Sequence, residues 1–69
     1  MESMMKVYIF NSSDNDNDGK SWDLPMISMG LDERDRPYAI VKNPYFPGET
    51  LRATYETFYG FNRWGVDLD

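Results

Sequence analysis

Glu49-Thr-Leu-Arg-Ala-Thr-Tyr-Glu-Thr-Phe-Tyr-Gly60 is the stretch on which the fold turns, because it fits two periods at once. Leu51, Thr54, Tyr55, Phe58 and Tyr59 fall at i, i+3, i+4, i+7 and i+8, the spacing of one helix face. Arg52 and Glu56 are set for an i,i+4 ion pair. Gly60, with apolar Phe61 behind it, stands where a left-handed helix cap belongs. The rival reading is period two: Leu51, Ala53, Tyr55, Tyr59 and Phe61 share a parity, and Thr, Tyr and Phe favour strands. The glycine stop and the upstream Pro47-Gly48 weigh for a helix near residues 49–59.

Outward from that segment the chain reads as strands. Val7 to Phe10 is a continuous β-branched and aromatic run, the mark of a central strand covered on both faces. Residues 11–21 are polar and without period, a loop longer than most. From Pro25, Ile27, Met29 and Leu31 share one face and Met26, Ser28 and Gly30 the other, which reads as a half-buried strand. Asp32 to Arg36 is a charged turn, and Tyr38 to Lys42 is the second arm of an antiparallel hairpin. Asn43-Pro-Tyr-Phe-Pro-Gly48 is a link in which each proline holds its predecessor extended. Trp64, Val66 and Leu68 alternate in a short final strand. The sum is one α+β domain over residues 1–69, with an antiparallel sheet of three or four strands and one helix; all-β is the runner-up.

Composition narrows the function. There is no cysteine and no histidine, which excludes disulfides, Cys/His zinc centres and Cys–His or Ser–His–Asp catalysis. General-base work would fall to a perturbed carboxylate or lysine, in a cleft that 69 residues hardly build. The chain therefore reads as a non-enzyme. Twelve acids against seven bases leave a net charge of −5. That sign disfavours direct contact with nucleic acid or an anionic membrane and favours a partner with a basic surface. The residues up to Phe10 carry no secretory pattern and no stretch is long enough to span a bilayer, so a cytoplasmic protein is expected.

Asp14-Asn-Asp-Asn-Asp18-Gly19 matches the first half of a calcium loop, with alternate carboxylates from Asp14, Asp16 and Asp18 and a glycine for the sharp turn. The second half departs from that pattern: the bidentate glutamate position falls on Pro25, and no helix enters the loop. The bland alternative is a solvated loop of turn formers.

Four Phe, five Tyr and two Trp are more ring surface than a core of this size holds. Tyr45, Phe46, Tyr59, Phe61 and Trp64 lie in or beside turns, and Arg63 adjoins Trp64; these residue types dominate interface hot spots. Asp32, Glu33 and Asp35 add a second acidic loop. If it projected from the same end of the sheet as the first, the two would make an anionic rim for a basic target.

In length, charge and loop-plus-aromatic layout the whole chain resembles the small acidic proteins that bacteriophages make against host defence enzymes. That resemblance implies a stoichiometric inhibitor that covers a host nucleic-acid-handling or ATP-driven protein, in the host cytoplasm and as a monomer or homodimer. A calcium-binding structural module and an accessory subunit of a larger assembly are the alternatives.

Overall fold

Residues 50–58 form a strand, not a helix, in the computed structural model, which describes residues 2–69. Ala53 is fully buried and Leu51 half-buried on one face, while Thr54 and Glu56 lie on the other, where the Thr54 hydroxyl donates to the Glu56 carboxylate at 2.6 Å. Arg52 does not reach Glu56; its guanidinium sits 3.9 Å over the Tyr38 ring. Gly60 is the second residue of a two-residue hairpin turn, with Tyr59 at φ 51° and Gly60 at φ 91°. Two positive φ angles are what a type I′ hairpin turn demands. A glycine with positive φ serves a helix end and a hairpin equally, so the stop signal was sound and the element before it was misread.

The elements are β1 (Ser3–Phe10), β2 (Lys20–Leu31), β3 (Pro37–Lys42), β4 (Thr50–Phe58) and β5 (Phe61–Asp67). The α+β class is thus corrected to all-β, with five strands and no helix among the described residues. No described helix is long and apolar enough to cross a membrane. β2 already includes Lys20 and Ser21, so the polar connection runs over 11–19.

The strands follow one another as an antiparallel meander, and the sheet closes on itself as a barrel. With an odd number of alternating strands the first and last point the same way, so the closing pair has to be parallel. It is: Tyr8, Ile9 and Phe10 of β1 lie beside Gly65, Val66 and Asp67 of β5. The Leu68 amide extends this seam by donating to the Phe10 carbonyl at 2.8 Å.

Closure defines the interior. Val7 and Ile9, Leu24, Ala39 and Val41, Ala53 and Val66 are buried together, with Met5, Trp22, Met26, Tyr45, Leu51 and Trp64 packed around them. Ala39 and Ala53 are direct cross-strand partners, and both are fully buried. Two alanines side by side show how narrow the barrel is at that level.

The alternation expected over 25–31 is broken. Met26 pairs with Val41 and Ser28 with Ile40, which leaves Ile27 as an extra residue in a β-bulge. A bulge shifts parity by one. Met26 therefore joins the inner face before it, Met29 and Leu31 join the inner side after it, and Ser28 and Gly30 face outward. Ile27, Met29 and Leu31, expected as a half-buried face, are each more than half exposed.

Circular dichroism should show a sheet spectrum without helical minima. Ala39→Leu overfills the narrow level and should destabilise the protein by about 1–3 kcal/mol in urea unfolding, whereas a neutral effect would mean that the barrel is not closed there.

Candidate interaction surface

The β4–β5 hairpin does not run straight past the barrel. Phe58 is opposite Phe61, four residues from Gly65 along β5. At about 3.3 Å per residue a straight hairpin would hold it about 13 Å away. Yet a Cβ placed on Gly65 would lie 2.7 Å from a carbon of the Phe58 ring. The hairpin tip is curled back over the outside of β5 and β1, and Gly65 leaves the space that the ring occupies.

This curl builds an aromatic cluster outside the barrel. Phe10 stacks on Phe58 with centroids 5.5 Å apart and planes within 13°, and meets Tyr59 at 4.7 Å. The Arg63 guanidinium sits 4.7 Å from the Tyr8 ring centre, 5.4 Å from Phe61 and 5.7 Å from Phe10. Its Nε and Nη2 both donate to the Phe58 carbonyl, at 3.1 and 2.9 Å. Each cation–ring contact contributes about 0.5–2 kcal/mol and each stacked pair about 0.5–1.5 beyond burial. Phe10 is only 7% exposed, whereas Tyr59 and Phe61 are 71% and 70% exposed. The cluster has a buried base and a projecting rim.

Of the residues expected at a contact face, Tyr59, Phe61 and Arg63 are brought together here. Trp64 is not: it faces the interior and meets Tyr55 edge-on at 5.6 Å. Tyr45 also turns inward, against Trp22 at 5.5 Å, and its hydroxyl donates to Asp14 Oδ2 at 2.9 Å. Burial, then this bond to Asp14, pushes the Tyr45 hydroxyl above its ordinary range. Phe46 is exposed on the β3–β4 connection, and no ring contact ties it to the cluster. Tyr8, Phe10 and Phe58 were missed. The signal for the first two was parity, since Val7 and Ile9 point inward and their neighbours therefore point out.

The acidic loops do not form one rim. A meander places the β1–β2 and β2–β3 connections at opposite ends of β2. Asp32 is largely consumed by its own turn: Oδ1 accepts from the amides of Arg34 and Arg36, and Oδ2 pairs with Arg36 Nε at 2.9 Å. The Arg36 amide bond, above all, holds its carboxyl below the usual range. Glu33 and Asp35 remain exposed.

In the other loop, the Asp14 carboxylate accepts from Asn17 Nδ2 as well as Tyr45, and Asp18 Oδ1 accepts from the Asn11 amide at 2.8 Å. Asp16 is exposed. Among the described residues no three acidic side chains gather as a metal site. The loop is tied to the end of β5 through Asp69, whose Oδ1 accepts from the Ser12 amide and hydroxyl. Its far end, Asp18-Gly19, lines a shallow recess with Phe10 and Tyr59, beside the aromatic cluster.

Comparison with protein-family models, curated proteins and solved structures finds no match.

Gly65→Ala should displace Phe58 and cost about 1–3 kcal/mol by overpacking, with Phe58→Ala in the same background restoring part of it; additive losses would contradict the contact. Asp32 and Asp69 are both held low, Asp69 by its bonds to Ser12. Their stabilisation is present above the unfolded aspartate pKa of about 3.9 and is lost as pH falls through the lowered folded values. In an NMR titration the amides of Arg34, Arg36 and Ser12 should therefore shift with midpoints below 3.8, the ordinary aspartate value. Midpoints at or above that value would contradict the hydrogen bonds.

Proposed function

We propose that this chain is a non-enzymatic binding protein that engages another protein through the rim of the outer aromatic cluster. The carrying observation is that Tyr59 and Phe61 are about 70% exposed although they belong to a cluster fixed from below by Phe10, Phe58 and Arg63. Rings held in place before binding lose little freedom on contact, so their burial goes into affinity. Large exposed apolar side chains grouped on one face mark an interaction site more than isolated ones do.

The surroundings favour a basic partner. Asp18 shares a recess with Phe10 and Tyr59, Glu56 is the cross-strand partner of Arg63, and Asp67 that of Phe10. A partner's Lys or Arg stacked on the Tyr59 ring would meet carboxylates at its edge. The net charge of −5 steers the same encounter at longer range. Small size and acidity support a stoichiometric inhibitor that covers a functional surface of a nucleic-acid-handling or ATP-driven protein.

The test is capture from bacterial lysate with wild-type, Tyr59→Ala, Phe61→Ala and Phe46→Ala baits, quantified by mass spectrometry, followed by titration with the captured protein. Tyr59→Ala and Phe61→Ala should each weaken binding by more than about 1 kcal/mol, and added salt should weaken it further. Phe46→Ala should leave it unchanged. A partner held equally by all four baits would refute this face.

A further inference from the structure

The recess beside the aromatic cluster has room and charge for one side chain, and we propose that it receives an arginine of the partner protein. The inference rests on the reading of this face as the contact surface and names what that face takes hold of. Phe10, Tyr59 and the loop end Asp18-Gly19 line a recess of about 220 Å³.

Each lining group is held by the fold. Phe10 points outward because Ile9 points in, and its ring is stacked on Phe58. Tyr59 meets Phe10 with planes tilted by 41°, so the two rings open a wedge and do not close on each other. On the other side the Gly19 amide donates to the Ile9 carbonyl at 2.8 Å, which brings the end of the loop against the Phe10 ring. The Asp18 carboxylate is oriented by the Asn11 amide, which binds Oδ1 at 2.8 Å.

The charge on that wall has no cation from this chain. Among the described residues the ion pairs are Arg36–Asp32 and Lys42–Glu2, so neither Lys20 nor any other described base pairs with Asp18. Asp18 Oδ2 accepts no hydrogen bond from a described residue. Asp67, the partner of Phe10 across the parallel seam, adds a second exposed carboxylate on the outer face.

A ring floor with a carboxylate wall selects among side chains. An apolar one would desolvate Asp18 and return no hydrogen bond. An acid would be repelled. A lysine ammonium is a compact, strongly hydrated point charge, whereas a guanidinium is flat and weakly hydrated. It stacks on a ring with its face and donates to a carboxylate with its edge. The chain's own cations behave this way: the cation–ring contacts among the described residues are made by Arg52 on Tyr38 and by Arg63 on Tyr8, Phe10 and Phe61.

An NMR titration of the protein with N-acetyl-arginine amide, at constant ionic strength, tests the proposal. The Gly19 amide and the Tyr59 ring should shift saturably, with a dissociation constant on the order of 10 mM. The lysine analogue should bind more weakly, and the neutral citrulline analogue should not bind. Asp18→Asn keeps the acceptor for the Asn11 amide and removes the charge. That variant and Tyr59→Ala should each weaken binding of the arginine amide by about threefold or more, with an unchanged circular dichroism spectrum. The proposal is overturned if the citrulline or lysine analogue binds as tightly as arginine, or if Asp18→Asn binds arginine as wild type does. Phe61 does not line the recess, which separates this test from that of the contact face. If arginine binding is absent while capture of a partner still depends on Phe61, the recess is refuted and the face stands. If arginine binds while capture ignores Phe61→Ala, the face is refuted and the recess stands as an arginine site.

Discussion

The parallel contact between β1 and β5 is the constraint on which the rest depends. It is short, three residue pairs and one flanking hydrogen bond. Without it the meander is an open sheet with one face of Val, Ile, Leu and Ala in water. With it, those side chains meet across a closed interior. So short a seam needs help, and it has help on both sides. Inside, Ile9 and Val66, adjacent in the seam, are buried together. Outside, Phe58, Tyr59 and Arg63 of the curled hairpin lie against Tyr8 and Phe10. The contact surface is thus the outer wall of the closure, and the same contacts that stabilise the seam hold the exposed rings in place.

The excess of rings in so small a chain is resolved by dividing them between two sites. Trp22, Trp64 and Tyr45 pack at the inner core, and Phe10 and Phe58 make a smaller cluster outside it. Tyr59 and Phe61 then stand on that cluster with about 70% of their surface free. Arg63 is the joint between these parts, touching three rings with its face while its nitrogens bind the Phe58 carbonyl.

Much of this was legible in the sequence, and the misreadings have physical causes. The run Val7–Phe10 announced a strand covered on both faces, and that stretch of β1 is covered so while Ser3, Met4 and Lys6 are exposed, its outer cover being a hairpin and not a second layer. The hairpin of β2 and β3 followed from alternation and a charged turn. The segment 49–59 was misread because a glycine with positive φ ends helices and turns hairpins alike, and only long-range pairing with β3 and β5 decides between them. That Met26 shares the inner side with Met29 and Leu31 was hidden by the bulge at Ile27, which leaves no mark in composition. Grouping Tyr59, Phe61 and Arg63 was possible from their nearness in the chain. Separating Trp64 required knowing which parity of β5 faces inward, and adding Phe10 required the closure itself.

Proton NMR of the free protein tests the closure and its outer wall most directly. The Phe10 ring should show cross-peaks to both Phe58 and Tyr59, and Ile9 to Val66, with the Gly65 protons shifted upfield by the Phe58 ring. Tyr59 and Phe58 resonances at unstructured positions, with no contact to Phe10 and none between Ile9 and Val66, would contradict the account.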